Sequence, residues 1–221
     1  MDTRRGMAVV AIAAVLVTSG CLGFVMGEEP LEYSANKATV ADGALGDSGT
    51  GYTESSVENQ TIEINGTEVG IGDRTIIVDN WIAQYEKQDD FIDQQVGLFA
   101  VVSTHEVDVI GQPQNPVGNM SNSDLIDQVL GQYQTGYGDI SNVRQTGSEQ
   151  VTMLGQQTEV TIFTGETTLE GQTVEINLYV TKVKHGDDYV IAIGGHPTKL
   201  PNEEADIYTM MQNVRHDTDE E

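Results

Sequence analysis

The sequence predicts an α+β domain: an antiparallel sheet built from two meanders, with helices packed on it, behind an N-terminal signal peptide. Three observations carry that reading. Apolar and polar residues alternate with period two over much of the chain, and turn signals such as Asn65-Gly66, Glu170-Gly171 and Gly186-Asp187 separate the alternating runs. Helical spacing of apolar residues shows in two places, near Leu125 and near Met210. A charged head, an apolar run and small residues open the chain.

The leader spans residues 1–21. Arg4 and Arg5 supply the positive head, Met7 to Val17 the apolar run, and Ser19-Gly20 the small residues before Cys21. This is the pattern of a secretory signal. The run is far shorter than the roughly 20 apolar residues that cross a bilayer. Residues 22–30 form a tether ending in Gly27-Glu28-Glu29-Pro30, residues 31–216 one α+β domain, and residues 217–221 an acidic, frayed tail.

Within the domain, Thr61 to Ile64 alternates, Asn65-Gly66 turns, and Thr75 to Tyr85 returns as the second strand. Asp89-Asp90-Phe91-Ile92-Asp93 breaks the run, and Val96 to Val102, apolar on both faces, reads as a central strand. After the loop Gln112 to Asn119, Ser121 or Ser123 caps a helix that carries Leu125, Ile126, Val129, Leu130 and Tyr133 at helical spacing; Gly136 and Gly138 end it. The second meander runs Val151 to Leu154, Gln157 to Thr168, Thr173 to Lys184 and Tyr189 to Ile193. A helix from Asn202 to Val214 then buries Ile207, Met210, Met211 and Val214.

Several stretches resemble known patterns. Thr3-Arg4-Arg5-Gly6-Met7 resembles a twin-arginine export motif. Thr18-Ser19-Gly20-Cys21 resembles a lipoprotein processing box, which implies lipidation of Cys21, the single cysteine of the chain; the box carries Thr18 where the bacterial pattern favours Leu. Residues Asp124 to Val214 loosely resemble the Mog1/PsbP-like architecture, through a helix, a Gly155-led set of hairpins and a closing helix after Pro197 and Pro201. With Tyr33 to Val40 and Gly51-Tyr52, the whole is similar to a family of haloarchaeal secreted lipoproteins whose domain has no assigned function.

Thirty-five acidic side chains stand against ten basic ones, a formal net charge of −25. Spread along the whole length, this acidity resembles haloarchaeal adaptation. It excludes nucleic acid as a partner, since no basic stripe meets phosphate. Electrostatic docking on anionic lipid is excluded for the same reason, so membrane attachment falls to the lipid on Cys21.

Catalytic motifs are sparse. Gly46-Asp47-Ser48-Gly49 resembles the nucleophile loop of chymotrypsin-like proteases, but that chemistry needs a histidine base, and in that family it comes earlier in the chain, whereas no histidine here precedes Ser48. Neither a G-x-S-x-G elbow, a P-loop nor a G-x-G-x-x-G string occurs. His105, His185, His196 and His216 are scattered, and four N or S ligands for structural zinc are not in view. No cofactor or metal site is therefore expected. Asp89, Asp90 and Asp93 form a cluster compatible with weak calcium binding, without EF-hand spacing. Asn59, Asn65 and Asn119 head candidate glycosylation sequons, no more than the composition generates by chance. Trp81, Tyr85 and Phe99 read as core aromatics sooner than as a ligand groove.

The expected function is a non-enzymatic interaction or ligand-binding module, lipid-anchored on the extracellular face of the cell membrane, with an envelope protein or a small ligand as partner. The alternative is an extracytoplasmic hydrolase whose Asp, Glu and His assemble in space. A solute-binding subunit is disfavoured, because the domain is small for two lobes.

Carboxylates at this density repel one another unless salt screens them; at 1 M salt the screening length is only about 3 Å. The domain is predicted to loosen when KCl is withdrawn, read by circular dichroism across a KCl series. An unchanged spectrum down to millimolar salt overturns the halophilic reading.

Overall fold

The computed structural model describes residues 30–67, 74–89, 94–109, 112–113, 116–132, 139–169, 171–200 and 202–218. The strands are β1 (Leu31–Ser34), β2 (Ala38–Val40), β3 (Thr53–Asn65), β4 (Thr75–Asp89), β5 (Gln94–His105), β6 (Asp108–Val109), β7 (Gln112–Pro113), β8 (Ser141–Met153), β9 (Gln156–Leu169), β10 (Gln172–His185), β11 (Asp188–Pro197) and β12 (Val214–His216). The helices are α1 (Pro116–Asn119), α2 (Asn122–Gln132) and α3 (Glu203–Gln212), with one 3-10 turn at Asp42–Ala44.

Seven strands lie side by side in the order β3-β4-β5-β11-β10-β9-β8, all neighbours antiparallel. The eighth, β1, adds in parallel to β4 at residues 76–79, next to where β5 pairs with residues 81–89. The meanders β3-β4-β5 and β8-β9-β10-β11 are thus one sheet, joined where β5 pairs with β11. A two-stranded ladder of β2 and β12 and a short one of β6 and β7 stand apart.

This corrects the expected fold class. The protein is mostly β, one large mixed sheet with a few short helices, and not an α+β domain with helical layers packed on its sheet. The reason lies in the sheet's edges. Strand β3 is exposed along most of its length and so is β8, so outside Thr61–Ile64 and the end of β8 from Val151 their hydrogen-bonded ladders leave no burial alternation for a sequence pattern to show. Charged residues along them, Glu54, Glu58 and Glu63 on β3 and Arg144 and Glu149 on β8, also keep the edges from pairing with other chains.

Pleating sends alternate residues to opposite faces. Tyr179 and Val183 of β10 join Tyr85, Phe99, Val101, Val190 and Ala192 in the main core, covered by Ile207, Met210 and Met211 of α3 and by β2 and β12. Ile176, Leu178 and Val180 of the same strand join Phe163 and Ile191 on the other face, under Leu125 and Ile126 of α2. Tyr85 and Phe99 are fully buried, their rings 6.3 Å apart, and the Tyr85 hydroxyl accepts from the Val40 N–H at 2.8 Å. Trp81 is half-buried, with Lys37 Nζ 5.9 Å from its ring centre.

Helix α3 is held by charge and by close approach. Lys87 Nζ on β4 donates to Glu203 Oε1 at 2.8 Å and Asp206 Oδ2 at 2.7 Å in the first turn of α3. Burial disfavours the charged amine, yet the two carboxylates hold its pKa above that of an ordinary lysine. Gly194 on β11 lets the helix come down: a Cβ there would lie 2.7 Å from Ile207 Cγ2. Gly194→Ala is predicted to cost about 1–3 kcal/mol in chemical denaturation, the usual cost of overpacking. Gly43→Ala, where a Cβ meets nothing within 4 Å, serves as the control and stays within about 0.5 kcal/mol of wild type. Equal stability of the two variants contradicts this seating of α3.

Candidate functional site

Polar side chains gather in two places, one on each face of the sheet. The first lies where β5 ends and the β10–β11 hairpin turns through Gly186 (φ 65°) and Asp187. The register sets Asp188 opposite His105 on β5 and opposite His185 on β10. Asp188 is 1% exposed. His105 Nδ1 lies 2.8 Å from its Oδ1, while His216 Nε2 at 3.0 Å and the Asn36 N–H at 2.7 Å reach Oδ2. His185 Nδ1 stands 3.0 Å from His216 Nδ1.

One proton assignment satisfies all these contacts. His185 Nδ1–H donates to His216 Nδ1, His216 Nε2–H and His105 Nδ1–H donate to Asp188, and the carboxylate stays ionised. Burial alone would raise the Asp188 carboxyl, but hydrogen bonds from His216, the Asn36 N–H and His105 outweigh it and hold its pKa below the usual carboxylate range.

Ser103, fully buried, places Oγ 3.2 Å from the same His216 Nε2. A nucleophilic serine needs the acceptor nitrogen of a histidine whose other nitrogen is held by the Asp. Here one nitrogen faces both Ser103 and Asp188 and already donates. The geometry is that of a pin, tying β12 and the segment at Asn36 to the sheet. Among the described residues, no group of three or more His, Cys, Asp or Glu is arranged to hold a metal ion. His196 stands apart: its Nδ1 donates to Pro197 O at 2.9 Å and its Nε2 accepts from the Tyr179 hydroxyl at 3.1 Å. Burial, and then Glu204, push the pKa of that hydroxyl up, so it remains a donor.

The second place is a groove on the opposite face, between α2 and β3–β5. Ile82, Val102, Ile191 and Ile193 form its floor, Leu125 and Val129 of α2 one wall, and Gln60 and Ile62 of β3 the other. Its cavity volume is about 100 Å³, room for a small fragment and below the usual range of drug-sized ligand sites. Among the described residues, no charged side chain lines it. Ile62, 42% exposed, marks the rim. Lys182 fixes the near end: its Nζ donates to Val117 O, to Gly118 O at 3.2 Å and to Met120 O at 2.9 Å, holding α1 and the turn into α2. Burial among these carbonyls pushes the Lys182 amine down.

Asn80 and Gln128 also line the groove. Asn80 is 5% exposed and its Nδ2 donates to Gln60 O at 3.4 Å. Its Oδ1, like Oε1 of Gln128, is buried and accepts no hydrogen bond from the described residues. Buried side-chain acceptors are normally bonded; Glu203 Oε2 is in the same state beneath α3, and Asn80 and Gln128 are the two that line the groove.

Of the residues singled out from sequence, Arg4, Arg5 and Cys21 lie outside the described residues, as do Asp90, Asp93, Tyr133, Gly136 and Gly138. Asp89 closes β4. Asn59 is exposed on β3, and Asn119 is exposed at the end of α1. Asn65 Oδ1 accepts from the Thr67 N–H at 3.0 Å and the Thr67 hydroxyl at 2.7 Å, closing the turn after β3. Ser48 sits in an exposed turn. Three of the four histidines converge on Asp188, which sequence reading placed only as part of a polar turn. Asn80 and Gln128 were missed, because a lone amide in a strand or a helix carries no local signal.

Fold and site together define a mostly β domain built on one large sheet, with a groove on one face that is uncharged among the described residues and a buried polar pin on the other. The chain belongs to the family described as a domain of unknown function (DUF6517), whose profile matches residues 37–215. No curated protein matches the chain.

The Asp188 pin yields a pH-dependent prediction. Its folded pKa lies below the unfolded value of about 3.9, so its contribution is full above that pH and is lost as pH falls through the folded value. Asp188→Ala strands the buried His216 N–H at about 1–3 kcal/mol, and removes the acceptor of the partly exposed His105 and Asn36 N–H groups at a smaller cost. The gap in urea-unfolding stability between wild type and variant is predicted to be wide at pH 7 and to shrink towards pH 3. A gap that does not change with pH means that Asp188 is not ionised in the fold.

Proposed function

We propose that this is a haloarchaeal lipoprotein, anchored through Cys21 on the outer face of the cell membrane, whose domain is a non-enzymatic binding module. The observation that carries the binding role is the groove: a concave site that, among the described residues, is uncharged and holds two buried acceptors without partners. The anchor rests on Thr18-Ser19-Gly20-Cys21 and on the basic, apolar leader before it. Arg4-Arg5 is read as routing the chain through the twin-arginine pathway, which exports folded proteins. Two lipid chains are needed for stable attachment, since one acyl chain alone binds only marginally. The Mog1/PsbP-like likeness draws on α2 before the β8–β11 meander and α3 after it.

A second reading, an extracytoplasmic hydrolase, draws on the convergence of His105, His185 and His216 on Asp188. Substrate would have to displace β12 to reach Ser103 and Asp188, both buried. The binding reading is therefore preferred.

Mass spectrometry of the N-terminal peptide from the native host is predicted to show residues 1–20 removed and a lipid mass on Cys21, and Cys21→Ser is predicted to release the protein into the medium. An unmodified N-terminus on a cell-associated protein overturns the anchor.

A further inference from the structure

We infer that the groove between α2 and the sheet takes a small neutral molecule with an apolar body and N–H or O–H donors, held by Asn80 and Gln128. The inference deepens the binding-module reading and rests on it. Three features set the ligand's chemistry. The floor and the α2 wall, Ile82, Val102, Ile191, Leu125 and Val129, are hydrocarbon, so the body of the ligand is apolar.

Second, Asn80 Oδ1 and Gln128 Oε1 are both acceptors, buried and without a partner. A ligand that donates satisfies them; one that offers only acceptors leaves them stranded and faces oxygen with oxygen. The Asn80 amide is oriented for this role, because its Nδ2 is engaged by Gln60 O.

Third, among the described residues no charged side chain lines the groove. A cation or an anion entering it would lose its hydration and meet no counter-charge, a cost that carbonyl dipoles alone do not offset. In a chain of net charge −25, a binding site free of carboxylates selects for neutrality. Specificity then comes from the hydrogen bonds: a site built to receive donors rejects an analogue that lacks them more strongly than it rejects a change in hydrocarbon shape.

The test uses the full chain in molar KCl and four probes of similar size: phenylurea, its fully N-methylated analogue, benzylammonium and benzoate, with binding read by ligand-observed NMR titration. The expected result is that phenylurea binds, and that the methylated and both charged probes bind at least about tenfold more weakly, as the loss of one or more buried hydrogen bonds implies. Asn80→Leu and Gln128→Met should each weaken phenylurea about tenfold. Gln128→Met should not lower Tm, because exchanging an unbonded buried amide oxygen for hydrocarbon of similar size is neutral or stabilising, whereas Asn80→Leu also gives up the Nδ2 bond to Gln60 O and is read by binding alone.

Equal binding of phenylurea and its methylated analogue overturns the role of the two oxygens. Tighter binding of a charged probe overturns the ligand class and leaves a binding module standing. Binding by no probe removes both. A fall in Tm of several degrees in Gln128→Met shows that its oxygen is bonded within the chain, and overturns the inference. The lipid on Cys21 is measured separately and is untouched by any of these results.

Discussion

The pairing of β5 with β11 is the constraint on which the rest of the structure depends. Its register runs from Asp188 opposite His105 to Gly195 opposite Leu98, and it alone welds two meanders into one sheet. Because the pleat alternates, the same seam builds both places where polar chemistry gathers. Val101, Val190 and Ala192 turn towards α3 and the main core, on the face that carries the Asp188 pin. Val102, Ile191 and Ile193 turn the other way and become the floor of the groove. A one-residue slip in this register would exchange the two sets and destroy both sites at once.

The two sites treat buried polarity in opposite ways. Around Asp188 every strong group is satisfied: three N–H donors meet one carboxylate, and the histidines form a consistent chain of donors and acceptors. Such a network specifies geometry and fixes the ends of five segments to one another. In the groove, two amide oxygens accept nothing. A satisfied network explains itself by the fold it holds. That contrast is why the proposed binding role is placed in the groove and not in the histidine cluster.

Much of the strand content was legible in the sequence. Val174, Ile176, Leu178 and Val180 alternate cleanly, and β10 places Ile176, Leu178 and Val180 in one core with Tyr179 in the other. The run Val96 to Val102, apolar on both faces, lies in β5, an interior strand. The fold class was not legible, because β3 and β8 run along the sheet's exposed edges and are held by ladder hydrogen bonds, which leave no mark in composition. The β5–β11 seam was equally hidden, since alternation shows which face a residue takes but not which strand lies beside it. Both sites inherit that limit: Asp188 meets His105 and His216, and Asn80 meets Gln128 across one groove, only after distant strands have paired.

Native-state amide hydrogen exchange tests the central claim most directly. If the β5–β11 seam unifies the sheet, the amides of residues 98–104 and 190–195 are the most protected in the protein and open together, at the free energy of global unfolding. If β3–β5 instead exchanges as a unit of its own, at a lower free energy than β8–β11, the sheet is two weakly joined halves and the account of the seam fails.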